Sequence, residues 1–62
     1  MKRYSSREII KILEQDGWFL LGAREDHHYF KHKTKPGKIP VPHPEKDVDP
    51  KTAKSIFKAA GL

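Results

Sequence analysis

The sequence predicts a small α+β fold in the order α-β-β-β-α, with a three-stranded antiparallel sheet carrying two helices on one face. Three observations predict it. Each end of the chain carries a helix-start signal followed by apolar residues at helical spacing, around Ser5 to Leu13 and Asp49 to Ala60. Between them lie three short runs suited to strands, Trp18 to Leu21, His27 to Lys33 and Lys38 to Pro42. Proline in the middle of the third run cannot donate a ladder hydrogen bond, so that strand belongs at a sheet edge.

Each element follows from local chemistry. Ser5-Ser6-Arg7-Glu8 forms a capping box, in which the Ser5 hydroxyl meets the Glu8 amide and the Glu8 carboxylate reaches back. Ile9, Ile10 and Leu13 then make an apolar stripe, widened by Ile12, with Lys11, Glu14 and Gln15 outside. Asp16-Gly17 stops the helix, because Gly17 can adopt the left-handed conformation of a C-cap. Trp18 to Leu21 reads as the first strand and Gly22 to Asp26 as a polar connection. In the second strand His28, Phe30 and His32 face away from His27, Tyr29 and Lys31, with Phe30 expected at the core and Tyr29 its rival. Lys35-Pro36-Gly37 is a turn. The third strand buries Ile39 and Val41 and turns Pro40 outward. Val41-Pro42-His43-Pro44 leaves the sheet stiff and extended, and Glu45 to Val48 is a polar connector. Asp49 caps the last helix with Pro50 at its first position. Ala53, Ile56, Phe57 and Ala60 line its inner face, and Gly61 ends it.

Composition narrows the function classes. The 62 residues predict one domain, residues 1–62, with no repeat or second unit. Absence of cysteine excludes disulfides and thiolate metal sites and fits the reducing cytoplasm. The apolar runs are far too short for a signal sequence or a membrane span. Thirteen lysines and arginines against eight acidic residues leave a net charge of +5, which favours a polyanionic partner such as nucleic acid. A core this small leaves little room for a deep pocket, so a shallow site for a large substrate is expected over a small-molecule site.

All four histidines fall between positions 27 and 43. Histidine exchanges protons near neutrality, and in a basic surface it suits acid–base chemistry on a polyanion. A metal site is disfavoured. His28 and His32 stand roughly 13 Å apart along a strand, and His27 and His28 point to opposite faces. Acid–base cleavage of RNA needs neither metal nor cofactor. One imidazole takes the 2′-hydroxyl proton or protonates the leaving 5′-oxygen, and nearby cations stabilise charge on the phosphorane. Arg24, Lys31, Lys33, Lys35 and Lys38 form the candidate phosphate-binding set, with His43 helping to shape the binding surface. Tyr29 or Trp18 can stack an unpaired base, although Trp18 and Phe19 suit packing better. His32 is expected to hydrogen-bond locally.

Asp16-Gly17-Trp18, His27-His28-Tyr29-Phe30-Lys31-His32 and Val41-Pro42-His43-Pro44, followed by a helix ending Phe57-Lys58-Ala59-Ala60-Gly61-Leu62, stand in order and spacing along the chain. With these motifs the sequence resembles the HicA family of toxin ribonucleases from Ser5 to Leu62. The resemblance implies a fold like a double-stranded-RNA-binding domain. It implies an endoribonuclease that cleaves mRNA and halts translation, held inactive by a HicB antitoxin. The family's catalytic histidine ends a Gly-Ser-x-His motif, and that position is His28; His27 occupies the variable position. Glu25-Asp26 stand where the family has Gly-Ser. Two negative charges there repel a phosphate over a few ångströms, so weakened cleavage relative to a Gly-Ser version is expected.

Overall fold

The structure, a computed structural model, describes residues 3–62; Met1 and Lys2 of the expected 1–62 domain lie outside them. Helix α1 spans Ser6–Gln15, strands β1, β2 and β3 span Phe19–Arg24, His27–Lys31 and Ile39–Pro42, and helix α2 spans Pro50–Ala59. The strands form one antiparallel sheet in the order β1-β2-β3. This is the expected α+β architecture, with the proline-bearing β3 at an edge.

Both helices begin and end on local sequence. The Glu8 amide donates to the Ser5 hydroxyl at 3.2 Å and the Ser5 amide to the Glu8 carboxylate at 2.9 Å, closing the capping box. At the other end Gly17, at φ 100°, lets its amide reach the Glu14 carbonyl and the Trp18 amide reach that of Leu13. That pair of bonds is a Schellman motif, and it reverses the chain toward the sheet. Helix α2 repeats the arrangement: Asp49 accepts from the Lys51 amide, and Gly61 and Leu62 close the C-terminus onto Lys58 and Phe57.

The core comprises Ile9 and Leu13 from α1, Phe30, Ile39 and Val41 from the sheet, and Ala53, Ile56 and Ala60 around α2, together with Trp18 and Val48. Phe30, not Tyr29, takes the buried position of β2, and fully burying such a side chain contributes roughly 1.5–3 kcal/mol. Pro40 is exposed between buried Ile39 and Val41. Val48 departs from its reading as connector. Its amide bonds the Tyr4 carbonyl at 2.8 Å, and the resulting bridge pins the side chain inward. Phe57 is only half-buried, packed edge-to-face on Tyr4.

The strand boundaries also differ from expectation. Trp18 is buried ahead of β1, and Gly22, Ala23 and Arg24 continue that strand instead of forming a connection. Glu25-Asp26 alone make the turn, so Arg24 stands opposite His27 and the pairing persists to the strand end. A bulge falls between Leu20 and Gly22. Strand β2 ends at Lys31, so His32 and Lys33 lie beyond the sheet, and β3 starts at Ile39 with Lys38 just before it. The helices pack over the β3 side, which leaves β1 as an uncovered edge with Phe19, Leu20 and Leu21 about half exposed.

Candidate active site

His28 is the second residue of β2. It shares the core-side face with Phe30 and is paired with Ala23 on one neighbour and Val41 on the other. It lies at the end of the sheet, where burial is incomplete, and is half-buried. Its ring meets that of His43 edge-to-face, with centroids 4.7 Å apart and an interplanar angle of 71°. Among the described residues neither ring nitrogen of His28 has a hydrogen-bond partner, and no unpartnered side-chain nitrogen is sealed from solvent. Both nitrogens are open to an incoming group.

His43 is held from two sides. Its amide donates to the Asp26 carbonyl at 2.8 Å, joining the loop after β3 to the β1–β2 turn. Its Nδ1 lies 2.6 Å from the hydroxyl of Ser6, a buried residue in the first turn of α1. That hydroxyl also accepts from the Glu45 amide at 3.0 Å, and the Ser6 amide donates to the Glu45 carbonyl at 2.8 Å. The start of α1 and the loop 43–45 are thereby fixed together. Beside them lies a groove of about 650 Å³ lined by Ser5, Arg7, His43 and Lys46, among others. Arg7 and Lys46 were not picked out by the sequence as site cations, because no local spacing reports that this loop docks on the start of α1.

The turn before His28 carries a local cost. Glu25 has φ 56°, the only positive φ on a described non-glycine residue. A positive φ on the first of two turn residues is the pattern of a type II′ turn, whose first position favours glycine. The Asp26 carboxylate points to His27 Nδ1 at 3.2 Å rather than to His28. On this opposite face His27 stacks near Tyr29, and the Lys38 ammonium sits 5.2 Å from the Tyr29 ring centroid. Arg24, Tyr29 and Lys38 share a second groove there, of about 310 Å³.

His32 is occupied. Its Nδ1 accepts from the amides of Thr34 at 3.1 Å and Lys35 at 3.2 Å, which makes Nε2 the protonated nitrogen, and Nε2 donates to the Asp16 carbonyl at 2.7 Å. The ring rests edge-on against Trp18. Lys35, expected on RNA, bonds the Asp16 carboxylate at 2.5 Å and the Ala60 carbonyl at 2.9 Å. It completes a cluster that ties the ends of α1, β2 and α2. The Lys35 ammonium hydrogen bond holds the Asp16 carboxyl below its ordinary value of 3.8, helped by the charge of Lys35 and the Trp18 indole N–H and opposed by partial burial.

The expected site residues therefore divide by position. His28 and His43 come together. Arg24 and Lys38 flank Tyr29 on the other face of the sheet. Lys31 pairs with Phe19 three residues along β2, and exposed Lys33 lies farther out. Trp18 is buried and offers no stacking surface. Among the described residues no three of His, Cys, Asp and Glu converge where a metal ion can sit.

Residues 6–62 match the family described as the HicA toxin of bacterial toxin–antitoxin systems. The chain belongs to the HicA toxin family. It is thus a toxin-type member of a two-component system, the other component being an antitoxin. The HicA match covers both the cluster around Asp16 and the His28–His43 pair. No curated protein matches the chain. No helix among the described residues is long and apolar enough to cross a membrane.

Proposed function

We propose that this HicA-family chain is a metal-independent endoribonuclease that cleaves single-stranded mRNA and inhibits translation, with His28 as its catalytic histidine. The observation that carries the reading is the state of His28. It stands at the position that the family resemblance makes catalytic, and among the described residues both its ring nitrogens are unengaged while open to solvent. Imidazole can perform general acid or base catalysis unaided, which contributes on the order of 10²–10⁴-fold. Arg24 and Lys38 hold RNA phosphates beside the Tyr29 ring, a stacking surface for an unpaired base. Lys31 and Lys33 extend the positive field along the chain, whereas Lys35 is engaged internally. A HicB-like antitoxin restrains the activity in the cytoplasm.

Decay of RNA in the presence of a chelator tests this reading. The wild type is expected to cleave and His28→Ala to lose about 10²-fold or more. Undiminished cleavage by His28→Ala overturns histidine catalysis. The acidic turn favours a second reading, an RNA- or antitoxin-binding domain of the same fold without catalysis. That reading is identified by a wild type that binds RNA with salt-dependent affinity and never cleaves it.

A further inference from the structure

We infer that His43 is the second proton-transfer group of the site and that Ser6 is its positioning residue; the inference rests on the ribonuclease reading above. Cleavage by the RNA's own 2′-hydroxyl moves two protons. The 2′-oxygen loses its proton as it bonds to phosphorus, forming a 2′,3′-cyclic phosphate. The bond from phosphorus to the 5′-oxygen breaks, and that oxygen takes up a proton. One imidazole can do both in sequence, but two that reach the same phosphodiester, one at each of the two oxygens, do so in one passage. The rings of His28 and His43 touch, so a single phosphodiester can reach both.

His43 is held as such a role requires. Its Nδ1 is engaged by Ser6 at 2.6 Å, which leaves Nε2 without a partner among the described residues. A hydroxyl both donates and accepts. With Nδ1 protonated, the Ser6 oxygen accepts from it both when Nε2 is bare and when Nε2 carries a proton, so the ring keeps one orientation before and after the transfer. Ser6 itself cannot drift, because it is buried in α1 and its hydroxyl accepts from the Glu45 amide at 3.0 Å. The backbone bond from His43 to Asp26 then fixes the distance to the turn that carries His28. The charged and titratable groups around the His43 ring are His28 from β2, Arg7 from α1, and Glu45 and Lys46 from its own loop. The two cations favour an anionic phosphate in the groove.

The test uses the whole chain and two RNA substrates, one ordinary and one with sulfur bridging at the cleaved 5′ position. Sulfur leaves without needing a proton, so it bypasses the general acid. His28→Ala and His43→Ala are each expected to slow the ordinary substrate by about 10²-fold or more. The sulfur substrate is expected to restore one of the two variants and not the other. The wild-type pH–rate profile is expected to be bell-shaped, with one limb lost in each variant. Ser6→Ala is expected to lower kcat with KM little changed, and Ser6→Thr, which keeps the hydroxyl, to restore it at an unchanged thermal midpoint. His43→Ala with wild-type kcat, or neither variant rescued by sulfur, overturns the inference while leaving His28 catalysis standing. A wild type that never cleaves sinks the ribonuclease reading itself, and the inference with it.

Discussion

His28, near the start of β2, and His32, just past its end, share one short segment, yet the fold treats them oppositely. His32 has both nitrogens engaged, by two backbone amides on one side and the Asp16 carbonyl on the other. Its tautomer is fixed by backbone groups of the cluster that joins the ends of α1, β2 and α2. His28 has neither nitrogen engaged among the described residues, and its ring meets that of His43. A saturated imidazole is a structural tie. An unsaturated one beside a second imidazole is able to move protons. The chemistry of a histidine therefore lies in what its nitrogens already hold, and this chain contains both extremes four residues apart.

The sharpest way to break the comparison is to exchange the two losses. His32→Ala is expected to cost roughly 1–3 kcal/mol of stability, because two amides and a carbonyl lose their partner. Its cleavage per folded molecule is expected to stay near wild type, the reverse of His28→Ala. Urea unfolding run beside an RNA decay assay separates the two, and a His32 variant with normal stability and no activity contradicts the division.

Gly17→Ala probes the same end of the strand. A Cβ there falls 2.8 Å from His32 Nε2, at a φ of +100° that side chains rarely adopt. A loss on the order of 1–3 kcal/mol is expected, with the His28 end unaffected. The complementary change at the other end is Glu25→Gly with Asp26→Ser. Relief of the positive φ is expected to stabilise by about 1 kcal/mol. Removal of two charges is expected to raise the cleavage rate, and equal rates remove the case that the acidic turn weakens the site.

The smallest effect concerns acid. The Asp16 carboxyl is depressed when folded, chiefly by its hydrogen bond from Lys35, so the folded state binds its proton less readily than the unfolded state. The stability it contributes is full above 3.8, the ordinary value, and is lost as pH falls through the depressed folded value. Thermal midpoints followed downward from neutral pH should therefore show a steeper acid decline for the wild type than for Asp16→Asn. Parallel declines dissociate Asp16 from the cluster.

Much of this was legible in the sequence because its causes are local. The capping box at Ser5 and Glu8, the stop at Gly17 and the proline at the start of α2 each act within a few residues. Phe30, Ile39 and Val41 announced their burial through strand alternation. The extension of β1 to Arg24 was hidden, since a two-residue turn usually declares itself by glycine, and here Glu25 takes the positive φ. Val48 was hidden because its burial depends on a bridge to Tyr4, far away in sequence. At the site, His28 was readable only through the family motif. Lys35 looked like one more hairpin lysine, and its bonds to Asp16 and Ala60 are tertiary. The Ser6–His43 contact joins residues 37 apart, beyond the reach of any spacing rule.

The division between the two histidines is tested most directly by the imidazole nitrogen resonances during titration with a 2′-O-methyl RNA, which binds but cannot be cleaved. The His28 and His43 signals should move with RNA, while His32 stays in its single Nε2–H tautomer with unchanged shifts. Movement confined to His32, with His28 and His43 silent, contradicts the account.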